Sequence, residues 1–99
     1  MLLTAAPVGG EFKVNTYTTD SQQTFAQSPQ SVARDADGDF VVTWSSHGQE
    51  GSDYGVYARR YNAAGVAQGS EFRVNTYTTD AQLLSTVAMD ADGDFVVTW

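Results

Sequence analysis

The chain predicts an all-β fold of antiparallel, four-stranded repeat units, and three observations carry that expectation. Glu11-Phe12-Lys13-Val14-Asn15-Thr16-Tyr17-Thr18-Thr19-Asp20 returns as Glu71-Phe72-Arg73-Val74-Asn75-Thr76-Tyr77-Thr78-Thr79-Asp80 with a single Lys-to-Arg change. Asp35-Ala36-Asp37-Gly38-Asp39-Phe40-Val41-Val42-Thr43-Trp44 returns unchanged from Asp90 to Trp99. Apolar residues alternate at period two through these blocks, and no stretch shows the i, i+3, i+4, i+7 stripe of a helix.

The first block repeats at an offset of 60 and the second at 55, so five residues are lost between them. The loss falls where Ser21 to Ser31 is polar and proline-bearing and its counterpart Ala81 to Thr86 is short, the place for a loop. Residues 1–10 therefore read as the end of a preceding unit, with Ala5-Ala6-Pro7-Val8 echoing Ala63-Ala64-Gly65-Val66. Residues 11–70 read as one complete unit and 71–99 as a truncated following unit, as if both ends were cut from a longer array.

Within a unit the elements follow in order. Ser31 to Arg34 reads as a strand, and Asp37-Gly38 as the hairpin turn after it, with glycine supplying the positive φ. Phe40 to Trp44 is the return strand. Gly55 to Tyr61 and Glu71 to Tyr77 are rich in the β-branched and aromatic residues that suit a pleated surface. Gly48, Gly51 and Gly55 punctuate one connection and Asn62, Gly65 and Gly69 the next. Four short strands in such a repeat suggest β-propeller-like blades. Both faces of Phe40–Trp44 and of Val56–Tyr61 carry apolar groups, so both need cover, which stacked units provide.

Composition narrows the function classes. The chain has 99 residues, 41% of them hydrophobic and 17% charged, which favours a folded domain with a thin core over a disordered tail. Five basic against twelve acidic residues give a net charge of −7, which argues against a nucleic-acid partner or an anionic membrane. No apolar run is long enough for membrane insertion by a helix, and the opening residues lack the basic and apolar regions of a signal peptide. Without cysteine there is no disulfide, thiolate site or cysteine nucleophile.

The string from Val32 to Trp44, continued by Ser46 to Gly65, resembles the tandem repeats of very large bacterial surface and secreted proteins, which often sit beside RTX-type calcium-binding repeats in adhesin-like chains. The resemblance covers the chain from Glu11 onward. It implies a secreted or cell-surface location, an adhesive or structural role and a candidate calcium dependence. A looser similarity to sialidase-like propeller blades fails on spacing, because Gly38 and Trp44 are six residues apart where the Asp-box places them three apart.

Six aspartates are the candidate metal ligands: Asp35, Asp37 and Asp39, and Asp90, Asp92 and Asp94. Carboxylates at i, i+2 and i+4 suit Ca²⁺, which takes six to eight oxygen ligands. The EF-hand pattern is not met, since glycine stands fourth and Ser46 occupies the twelfth position. The plainer expectation is a hairpin turn with solvated aspartates at its ends. His47, the sole histidine, is expected in a solvated loop, and His47 to Gly55 is long enough to serve as a binding loop. Tyr17, Tyr57, Tyr61, Tyr77, Trp44 and Trp99 are expected to pack at strand positions instead of stacking on sugars.

The function expected is therefore a non-enzymatic structural or adhesive repeat module, with calcium as the candidate cofactor. Neighbouring repeats, a second copy, or a surface glycan or protein are its candidate partners. The alternative is a fragment of a propeller-type glycan-binding or glycan-hydrolysing protein, with Glu50 and Asp53 as its paired carboxylates. Arg34, Arg59, Arg60 and Arg73 do not converge in sequence as such a site requires.

Overall fold

The computed structural model describes residues 12–24, 30–49, 53–76 and 81–99. The expected unit at 1–10, and Glu11, Glu50 and Tyr77, lie outside the described residues. Seven strands occur among those described: β1 (Gln22–Gln23), β2 (Val32–Arg34), β3 (Phe40–His47), β4 (Tyr54–Tyr61), β5 (Phe72–Arg73), β6 (Thr86–Met89) and β7 (Phe95–Thr98). There is no helix among the described residues, and every strand pairing is antiparallel.

β3 and β4 form the backbone of the first sheet, paired over their whole length from Phe40↔Tyr61 to His47↔Tyr54. β4 occupies one edge of β3, so β1 and β2 share the other, with Gln22 opposite Ser46 and Val32 opposite Val42. β5 adds to the far edge of β4. The sheet is thus four strand positions wide and open. β6 and β7 form a separate hairpin in which Val87 faces Val97 and Met89 faces Phe95.

Alternation fixes two faces. Residues paired across strands share a face, so Ala33, Val41, Thr43, Val56 and Ala58 lie on one side, and Val32, Phe40, Val42, Trp44, Tyr57 and Tyr61 on the other. The first face meets the second hairpin: Ala33, Val41, Ala58 and Val87 make the buried cluster, with Val74, Met89, Phe95 and Val97 packed against it. On the opposite face Tyr61 stacks on Phe40 at 5.1 Å and meets Phe12 at 5.3 Å, while its hydroxyl donates to the Val14 carbonyl at 3.2 Å. Cover on both sides is what the two-sided apolar pattern requires, because a fully buried valine is stabilised by about 1.5–3 kcal/mol over an exposed one.

Three details depart from the sequence expectation. β1 forms in a stretch expected to be loop, held by Asn15 Nδ2, which donates to Gln22 Oε1 at 3.1 Å. Tyr17 lies in a stretch, 12–20, without strand, and its N–H is taken by Glu71 Oε1 at 3.1 Å instead of a ladder partner. Trp99 is 55% exposed beyond the end of β7, so among the described aromatics the expected packing at strand positions holds for Trp44, Tyr57 and Tyr61.

Candidate functional site: the aspartate turns and the unit contact

The two aspartate triplets make the same turn. Asp35 N–H donates to the Asp39 carbonyl at 2.9 Å, and Asp90 N–H to that of Asp94 at 2.9 Å. Each closes a three-residue loop that ends in a left-handed glycine, Gly38 at φ 90° and Gly93 at φ 92°, where a side chain would be strained. Asp35 Oδ1 accepts the N–H groups of Asp37 and Asp39 at 2.9 and 3.0 Å; Asp90 Oδ1 accepts those of Asp92 and Asp94 at the same distances. A short side-chain acceptor in this position replaces a backbone carbonyl and fixes the turn.

Asn62 builds the turn a third time. Its N–H donates to Val66 O at 2.9 Å, its Oδ1 accepts from Ala64 and Val66 at 3.0 and 2.9 Å, and Gly65 takes φ 82°. A neutral amide therefore performs the bonding that the carboxylates of Asp35 and Asp90 perform. The Asn62 turn is tied to the first triplet by Ala63 N–H, which donates to Asp39 Oδ1 at 2.9 Å.

Stacking of the hairpins brings the two triplets against each other in part. Ala36 N–H donates to Ala91 O at 3.3 Å, and a Cβ on Gly93 would stand 3.1 Å from Asp35 Oδ2, so glycine permits the approach. Asp35, Asp39 and Asp92 line one polar cleft of about 260 Å³ beside Arg60 and Asn62. Asp90 and Asp94 line a different cleft, of about 440 Å³, with Ala88 and Val96 on the outer side of the second hairpin. Asp37 is exposed and lines neither.

Calcium would need six to eight oxygens around one point. Oδ1 of Asp35, Asp39 and Asp90 is already committed to backbone N–H groups. Among the described residues no three His, Cys, Asp or Glu side chains group as metal ligands.

Other candidate residues are engaged locally. His47 ends β3 instead of lying in a loop; its Nε2 is 3.6 Å from Asp53 and its Nδ1 4.0 Å from Asp20, and its ring meets Tyr54 edge-on. The arginines spread over backbone carbonyls: Arg59 reaches Gly69 and Val14, Arg60 reaches Gln68, and Arg73 reaches Asn75.

Two tie points escaped sequence reasoning. Asn75 Nδ2 donates to Gln82 Oε1 at 3.1 Å, as Asn15 does to Gln22, while Asn75 Oδ1 accepts the buried Val56 N–H at 2.9 Å. The signal was available, since the 60-residue offset runs on from Asn15/Asn75 to Gln22/Gln82. Glu71 is the second. Its carboxylate accepts the N–H groups of Thr16 and Tyr17, each at 3.1 Å, and Gln49 Nε2 at 3.1 Å. Burial pushes its pKa up, but the bonds from Thr16, Gln49 and Tyr17 together outweigh that and hold it below the ordinary glutamate value of 4.5.

These residues bond strands and turns to one another within the chain. Comparison with protein-family models, with curated proteins and with solved structures finds no match to this chain.

Proposed function

We propose that this chain is a non-enzymatic structural module, in which successive β-propeller-like units stack face to face, and that it works as an adhesive or spacer element of a secreted or cell-surface protein. One observation carries the proposal. The two copies of the Asp35–Trp44 decapeptide, each with the strand before it, fold into the same hairpin, and the second hairpin seats Val87 and Val97 on the Ala33/Val41 face of the first. Units that bury their apolar faces against neighbours of the same sequence gain stability by addition of units, which is the physics of a stacked array. The chemistry-bearing side chains favour this reading over the glycan-hydrolase alternative: Glu71 and the Asp35, Asp39 and Asp90 carboxylates bond to backbone donors of the chain itself.

The test is thermal unfolding of the chain extended at its C-terminus by a copy of Ser45 to Ser70. Such an extension supplies β7 with the partner strand that β4 gives β3, and covers Trp99 as Trp44 is covered. A gain of about 1–3 kcal/mol, seen as a rise of roughly 4–8 °C per kcal/mol in a single transition, is the expected outcome. An unchanged or lower melting temperature would overturn the module.

A further inference from the structure

The contact between units is heterologous: different faces meet, so each unit keeps one face of each kind. Repeat-equivalent residues show this directly. Val41 is fully buried while its equivalent Val96 is 59% exposed, and Val87 is 2% exposed while its equivalent Val32 is 51% exposed. The face that receives a hairpin is thus occupied on the first unit and open on the second; the face that is inserted is occupied on the second and, on the first, exposed at Val32 and half-buried at Phe40 and Val42. We propose that a second copy of this chain docks head to tail, placing its Val32/Phe40/Val42 face on the Ala88/Val96 face of the first copy. The proposal rests on the module reading and specifies its partner.

The internal contact dictates the register. Within the chain Val41 and Ala33 are packed by Val74, Val87, Val97, Met89 and Phe95. Their equivalents are Val14, Val32, Val42, Arg34 and Phe40. Val14 and Val42 already line an open cleft of about 200 Å³ with Trp44, whose buried Nε1 has no hydrogen-bond partner among the described residues. Val96 of another copy would enter beside Val42, between Val14 in this cleft and Val32 on the neighbouring strand.

Charge favours the same pose. Met89 lies in the cleft with Asp35 and Asp39. Its equivalent on the incoming copy is Arg34, which is exposed and makes no ion pair with a described residue. The equivalents of Asp35 and Asp39 on the receiving copy are Asp90 and Asp94, which line the open cleft with Ala88 and Val96. Docking places a guanidinium over two carboxylates where the internal contact has a thioether, which makes contact between copies more specific than chain-wide repulsion at net charge −7 would suggest. A heterologous contact continues until a ring closes or a filament grows.

The experiment is sedimentation of the 99-residue chain over a concentration series, with Val32→Asp, Val96→Asp and, as a control on the exposed Asn62 turn, Val66→Asp. All three sites are more than half exposed, so the variants should fold, and circular dichroism checks that they do. The parent and Val66→Asp should gain mass with concentration. Val32→Asp and Val96→Asp should each stay at one chain, and their equimolar mixture should stop at two, because one intact face remains on each. A parent that stays monomeric, single variants that still assemble, or a mixture that does not pair would overturn the docking. Should the extended chain gain stability while the parent stays monomeric, docking between copies fails and the module stands; should the extension bring no stability, the module itself fails.

Discussion

Removing the Asp35 side chain should cost far more than neutralising it. Asp35→Ala deletes an acceptor for two N–H groups at 2.9 and 3.0 Å, in a residue only 8% exposed whose surroundings include the stacked second turn. A hydrogen bond to a charged acceptor is worth about 1.5–3 kcal/mol net, and the Asp37 N–H, on an exposed residue, recovers water; the expected loss is about 2 kcal/mol, or roughly 8–16 °C in melting temperature. Asp90→Ala removes bonds of the same length at an exposed site and should cost about 1 kcal/mol or less. Asp35→Asn should fall within about 0.5 kcal/mol of the parent, because Asn62 makes the identical turn with an amide. The assay is thermal denaturation by circular dichroism, run in chelator and again in millimolar calcium. The turn-based reasoning is refuted if Asp35→Asn loses as much as Asp35→Ala. A parent whose melting temperature rises with calcium, with the rise abolished in Asp37→Ala/Asp39→Ala, would assign the triplets a metal role.

Two further outcomes follow from the same geometry. Val41→Ala should cost about 2 kcal/mol through lost burial and a residual cavity, while Val96→Ala at the repeat-equivalent position should stay within about 0.5 kcal/mol in the monomer; equal losses in urea unfolding would contradict the assigned faces. Glu71 has a folded pKa below 4.5, so the unfolded chain takes up its proton first and the stability it contributes is full above about pH 4.5 and drains as pH falls through the lower folded value. The stability difference between the parent and Glu71→Gln should therefore shrink from pH 6 to pH 3; a difference independent of pH would remove the carboxylate from the account.

Much of the fold was legible because its strongest signals are local. Period-two alternation from Phe40 to Trp44 and the Asp-Gly pair before it fix a hairpin without help from the rest of the chain, and β2, β3 and β4 lie where that pattern puts them. β1 was not legible, since nothing in Gln22-Gln23 favours a strand; its pairing comes from the free edge of β3 and from the Asn15–Gln22 bond. Near-identical sequence also took two states: Phe72-Arg73 forms β5 on the edge of β4, whereas Phe12-Lys13 joins no ladder among the described residues and the Phe12 ring packs on Tyr61 of β4. Of the candidate site, the turn role of the aspartates was readable from their position beside glycine. The split that puts Asp35, Asp39 and Asp92 in one cleft and Asp90 and Asp94 in another was not, because it depends on how the two units stack.

That stacking explains why the decapeptide carries apolar residues on both sides of its strands. In a sheet with one wet face, one of the alternating sets would be polar. In this chain the Val41 position is buried on the first unit and open on the second, and the Val32 position is the reverse. A sequence copied between units has to satisfy both environments, and the buried Ala33, Val41 and Val87 keep the apolar equivalents Ala88, Val96 and Val32 where those positions are exposed. The cost is exposed valine on each unit, Val32 on the first and Val96 on the second. Arg34 in place of Met89 is the one departure among the five residues that pack the contact beyond the buried cluster's own unit, and it puts charge where the open face offers Asp90 and Asp94. Arg34→Met should therefore keep the apolar fit yet make association less sensitive to salt, since a partly exposed guanidinium–carboxylate contact is screened over about 8 Å at physiological ionic strength and an apolar one is not. Sedimentation of the parent and Arg34→Met in low and high salt reads the difference, and an equal salt dependence of the two would take the Arg34 contact out of the docking.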